Sequence, residues 1–311
     1  DLRHVEADQP RAVLALHPEG DVLAYWSQFP TRVLYFATRA RDADTFGAAA
    51  PWSAANVSTP AIAHGFDGML MGASFRDNSD GKSDVLFGSR AEAGDTVFET
   101  VATDLVTEFS WYARACVSEN GDAMVAWVDS TSLTSSVVNA RFRSESTWGT
   151  TSLVSSGDPV SVSDFHVVCS PDGNHLVVYG VQEDTTNVWH ARVYDADRED
   201  WEGPALPLSN ENHHTFNSAR TADGRMAVGW GSDEAGGSFR VRVHERNGWS
   251  PMVHTVADGV YNGAYFLELT AAGNDVHAAW LESGERRTRR LDAARSIWSP
   301  VVPFDGHVSA Q

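Results

Sequence analysis

Two rows of aromatic residues recur along the chain at nearly fixed intervals, and no other feature restricts the fold as much. Trp26, Trp127, Tyr179, Trp230 and Trp280 form one row, with Ser74 in its second place. Trp52, Phe98, Trp148, Trp201, Trp249 and Trp298 form the other. Steps in both rows stay between 46 and 53 residues. Self-similarity at such a period marks a chain assembled from copies of one supersecondary unit, each burying its apolar surface against its neighbours. The rows count six copies.

Each copy reads as short strands separated by turns. In the third, residues 112–117 are an apolar run, Glu119-Asn120-Gly121-Asp122 is a hairpin turn, and 123–128 is the next run. Asn-Gly is the strongest short hairpin signal. Pro171-Asp172-Gly173, Ala222-Asp223-Gly224 and Pro18-Glu19-Gly20-Asp21 stand at the same point of other copies. A third strand follows, as at 138–143, and the second-row aromatic opens a fourth. The first two strands are nearly continuous apolar runs, so both faces of each small sheet need cover, and neighbouring copies supply it. Large aromatics then fill the wedge between sheets. These features predict an all-β chain, a six-bladed β-propeller with four antiparallel strands per blade. It reads as a single domain over 1–311, with blades at about 9–57, 58–106, 107–157, 158–210, 211–258 and 259–311. Both 298–304 and 4–8 resemble the fourth strand of the last blade. The C-terminal segment retains its opening Trp and is assigned there, which leaves 1–8 as a lead-in.

Charge restricts the partners. With 42 acidic against 23 basic side chains the formal charge is −19, which repels phosphate backbones and anionic lipid. Nucleic acid is excluded as a partner, and no apolar run is long enough for membrane insertion. Lys82 is the sole lysine among the 23 cations, an arginine bias that points to a bacterial source of high GC content. The chain starts at Asp1 and reads as a mature or trimmed fragment, expected to be a secreted or cell-surface monomer. Cys116 and Cys169 fall in equivalent innermost strands of neighbouring blades. They are either a disulfide or two buried thiols, and the thiols are the simpler expectation.

An arginine recurs in every third strand: Arg39, Arg90, Arg141, Arg192, Arg242 and Arg289. Such a fork of donors matches vicinal hydroxyls or a carboxylate, which would give six glycan sites. No acid recurs with it to complete a ligand site, so a structural role is expected, lacing adjacent outer strands to Asp or Glu or stacking on the second-row Trp. The six blades and the length resemble the fungal and bacterial fucose-binding lectins. The run Asp195-Ala-Asp-Arg-Glu-Asp-Trp201 resembles the Asp-box of sialidase-like repeat proteins. No copy completes Ser-x-Asp-x-Gly-x-x-Trp, and of the lectin Arg, Glu and Trp set only Arg and Trp recur. These resemblances imply a propeller and a sugar ligand.

Strand alternation sends the loops between strands two and three, and those between strands four and one, to the same end of every sheet. These loops depart from the repeat, as a functional surface grafted on a scaffold does. They hold Glu108, Trp111 and Tyr112, then Asp164 and Phe165, then His213, His214 and Phe216, and Tyr261 with Asn262. Asp129, Glu183, Asp184, Asp233 and Glu282 accompany them. Aromatics beside carboxylates and amides suit a sugar. Trp111, Tyr112, Asp164, Phe165, His214, Phe216, Tyr261 and Asn262 are therefore the expected ligand contacts.

His213, His214 and Tyr261 are the candidates for catalysis, since an imidazole could abstract a proton with a phenol as its counterpart. In a lyase Arg220, on the same inner strand, would neutralise a uronate. Adjacent histidines on an extended chain point to opposite sides, so no metal site is expected there. The run Asp77-Asn78-Ser79-Asp80-Gly81-Lys82-Ser83-Asp84 fails the calcium-loop template and reads as an acidic hairpin. No cofactor is expected. The favoured function is non-catalytic recognition of a glycan or protein; a polysaccharide lyase or glycosidase is the alternative.

Overall fold

A computed structural model describes residues 13–16, 22–28, 33–52, 61–64, 70–77, 82–90, 97–105, 113–118, 120–132, 135–144, 146–155, 161–171, 173–183, 186–208, 213–232, 237–259, 267–282, 285–292 and 296–303. These residues form six antiparallel sheets, spanning 13–51, 61–105, 113–153, 161–207, 213–258 and 267–303. In each, the strands lie side by side in chain order. The third, fourth and sixth sheets have a fourth strand broken into two short pieces, as in Thr147–Trp148 and Ser152–Leu153. The chain divides into two compact units, 1–159 and 160–311. Three sheets belong to each.

Sequence dictates where the core lies. Residues 123–128 of the third sheet are all buried, because an apolar strand covered on both faces has no solvent side. Trp127 packs with Ala73, Val85 and Phe87 of the second sheet. In the C-terminal unit, Trp230 of the fifth sheet packs with Leu176, Val178 and Trp189 of the fourth. Trp280 of the sixth packs with Phe239 and Val241 of the fifth. Trp127, Tyr179, Trp230 and Trp280 of the first row are therefore core, as their spacing predicts, while Trp26 is half-buried. At Gly229 a β-carbon would stand 2.8 Å from Leu267 and Leu269 side-chain atoms, so any larger residue would force these leucines of the sixth sheet to shift.

The turn between first and second strands is a three-residue loop. The Gly121 N–H donates to Ser118 O, and Gly121 takes φ +86°. A positive φ there is a conformation that glycine adopts without strain. The Ser118 hydroxyl donates to Asp122 O, which closes the loop.

The sixth sheet takes its outer pieces, Ile297–Trp298 and Val302–Pro303, from the C-terminal segment. Residues 1–8 lie outside the described residues. The expectation of two thiols is corrected: Cys116 and Cys169 are buried and neither is a free cysteine. The sequence offered no partner chemistry to decide this, only equivalent positions. Of the acidic 77–84 run, Asp84 pairs with Arg76 and Lys82 with Asp104, while 78–81 lie outside the described residues.

Burial also sets a pH response. His254 is 8% exposed and lies edge-on to Trp298. Desolvation lowers its pKa, and burial lowers that of His277 as well. Below the ordinary imidazole value of about 6.5, the unfolded chain binds a proton that the folded chain refuses. Stability is thus constant above that pH and is lost as pH falls from it through the folded values. The melting temperature should drop as the pH falls below about 6.5, and His254→Gln should flatten part of the drop. An unchanged slope in that variant would show that His254 is not responsible.

Candidate functional site

The recurring arginines have a common structural task. Arg141, Arg192, Arg242 and Arg289 each direct Nε to a backbone carbonyl just past the second-row aromatic of their own sheet: Gly149 at 2.8 Å, Gly203 at 2.8 Å, Ser250 at 3.0 Å and Ser299 at 2.7 Å. The ladder gives way there, so these carbonyls need a side-chain donor. Two arginines reach further. Arg141 Nη1 donates to Val101 O and Arg289 Nη1 to Val256 O, each in the preceding sheet. The guanidiniums of Arg192, Arg242 and Arg289 lie over Trp201, Trp249 and Trp298. All four thus serve backbone carbonyls, and three of them also cover an indole. Arg289→Lys keeps the charge but loses the fork, and should cost about 1 to 3 kcal/mol by orphaning carbonyls. Chemical denaturation measures it; a change under about 0.5 kcal/mol, the scale of an ordinary surface substitution, would refute the role.

At the loop end of the sheets the ladders are irregular. Register shifts fall between Ser130 and Ser132 in the third sheet, between Val162 and Asp164 in the fourth, and between His213 and Phe216 in the fifth. Bulges re-aim side chains and gather near functional sites. The first strands of the fourth and fifth sheets, Ser161–Cys169 and His213–Arg220, are neighbours. Their loop ends therefore lie together.

The expected contacts divide. Asp164 is half-buried, and its Oδ1 accepts the Phe165 N–H at 2.8 Å. Phe165 has 0% exposure. That corrects its assignment as a ligand contact: alternation turns it into the core opposite Tyr179. Phe216 is half-buried, stacked on Trp189 with ring centroids 4.6 Å apart and met edge-on by His166 at 4.8 Å. It wedges the two sheets and keeps some surface. His213 lies opposite Ser232; the side chains of His213 and His214 lie outside the described part. So do Trp111, Tyr112, Tyr261 and Asn262.

Arg220 is removed from the proposed chemistry. It stands at the far end of the strand from His213, about 23 Å along an extended backbone, and its Nη1 donates to Cys169 O. Glu282 lies 3.6 Å from Arg287. Asp129, at the loop end of its strand, has its pKa raised by burial.

A second recurring contact went unseen in the sequence. The residue after the second-row aromatic, Glu99 or Glu202, reaches the next sheet at the position two past its arginine. Glu99 takes Arg143 Nη2 at 3.0 Å and Trp148 Nε1 at 2.7 Å. Glu202 meets His244 Nε2 at 3.0 Å. These two occurrences among the described residues, each joining residues more than 40 apart, make a pattern that spacing alone does not disclose.

No protein-family model matches the chain, and no curated protein matches it. Solved structures do. A polysaccharide lyase of family PL25, an ulvan lyase bound to an oligosaccharide, is 11% identical with a TM-score of 0.59, covering 92% of this chain and 82% of its own. The β-propeller domain of a Pyrococcus furiosus protease is 11% identical with a TM-score of 0.55, covering 94% and 84%. The Aleuria aurantia lectin in complex with a fucosyl-GlcNAc disaccharide is 11% identical with a TM-score of 0.50, covering 96% and 97%. At this identity the likeness speaks for architecture: the chain has the β-propeller fold.

Proposed function

We propose that this propeller recognises a carbohydrate at the loop ends of its sheets and leaves it chemically unchanged. The observation that carries the reading is the coincidence, at one end of the sheets, of ladder bulges with the residues that break the repeat. There Asp164 and Phe216 would contact the ligand together with Trp111, Tyr112, His214, Tyr261 and Asn262. An aromatic surface beside carboxylate and amide groups suits a pyranose, whose C–H face is apolar and whose rim is hydroxylic. Similar propellers whose ligands are an oligosaccharide and a fucosyl disaccharide support the class. A secreted or surface-exposed monomer fits that role.

A uronate-polymer lyase is the second reading, favoured by the likeness to ulvan lyase. His213 or His214 would take the proton and Tyr261 would return it to the leaving oxygen. Incubation with a uronate-containing polymer separates the two readings. Recognition predicts saturable binding without new unsaturated chain ends. Turnover that disappears in His214→Ala would replace it with the lyase.

A further inference from the structure

At the opposite, turn end of the C-terminal unit, the fourth and fifth sheets frame a cleft of about 520 Å³. One wall is the hairpin carrying Asp195, Asp197, Arg198, Trp201 and Glu202, with Asn174 beside it. Arg246 and Asn247, on the next sheet's hairpin, form the other. The volume lies within the range of about 300–1,000 Å³ usual for small-molecule sites. It is remote from the loop end.

The lining has a single chemical character. Apart from Trp201, every side chain ends in a planar amide, carboxylate or guanidinium. Planar groups offer paired donors or acceptors, a match for hydroxyls on adjacent ring carbons. Three carboxylates face two guanidiniums, so the cleft does not attract an acidic group. Mixed donors and acceptors with slight negative excess suit an uncharged polyol.

The cleft is also pre-set. Asp195 Oδ1 accepts the N–H groups of Asp197 at 3.0 Å and Arg198 at 3.1 Å, and its Oδ2 lies 3.1 Å from Arg198 Nε. Trp201 is held between the Arg192 guanidinium and the edge of Tyr194. Glu202 is oriented through Oε2 by His244, which is 1% exposed. The equivalent Glu99 spends both oxygens on Arg143 and Trp148. Glu202 has one such contact, and the cleft opens beside it. Groups already fixed lose little entropy on binding.

We propose that this cleft is a binding site for one uncharged saccharide unit, additional to the loop end. Titration of the intact chain with uncharged methyl glycosides of gluco, galacto, manno, rhamno and fuco configuration, followed by NMR of the tryptophan indoles, tests it. At least one should bind saturably with Kd on the order of 1 mM. In Arg246→Ala/Asn247→Ala the affinity should fall about tenfold, the scale of one lost charge-assisted hydrogen bond, with melting unchanged because both residues are exposed. His214→Ala/Tyr261→Phe, at the loop end, should leave this binding intact. Silence toward the whole panel, binding only of a methyl glucuronoside, undiminished binding in the cleft variant, or loss in the loop-end variant would each overturn the proposal.

Discussion

Trp230→Ala is expected to lower the unfolding free energy by about 3 to 5 kcal/mol, with Trp127→Ala alike. Each indole is 1% exposed and fills the space between two sheets. Deleting it removes a large buried surface and leaves a cavity that two flat sheets cannot close without shifting their ladders. Half-buried Trp249, in the second row, should cost less. Denaturant midpoints measured on the three variants decide this. Midpoints for the first two within about 0.3 M of the parent, on an unchanged slope, would mean that the rings do not pack the sheets together.

The second large effect concerns the ligand. His214→Ala/Tyr261→Phe should abolish glycan binding at the loop end while the melting temperature stays where it was, a surface substitution usually altering stability by no more than about 0.5 kcal/mol. The pairing of the two readouts is what gives the test its force: affinity lost together with stability would indicate a damaged fold, and affinity kept would move the site. Phe216→Ala makes a useful contrast. Because Phe216 packs against Trp189 and His166, its loss should lower affinity and stability together.

The scaffold was legible in the sequence because its signals are local and repeated. The two aromatic rows, the apolar runs and the Gly turns each mark one unit, and the described residues form six antiparallel sheets. Sequence alone also suggested that the arginines were structural and that they stack on the second-row Trp, but not that they serve backbone carbonyls. A carbonyl freed by a break in an outer strand leaves no trace in spacing, whereas an acid would. Phe165 was misread for a similar reason: at a strand end, one residue of register decides between core and ligand contact, and the bulge at Val162 and Asp164 sets that register. Glu202, His244 and the turn-end cleft depend on two hairpins from different sheets. Only packing brings them together.

The central claim is that this propeller holds a carbohydrate without transforming it, and an array of neutral, fucosylated and uronate-containing glycans probed with the intact chain tests it most directly. The account predicts saturable binding to a restricted set of glycans, recovered unchanged from the complex, with the loop-end share of that binding lost in His214→Ala/Tyr261→Phe. No binding to any glycan, or recovery of cleaved product, would contradict it.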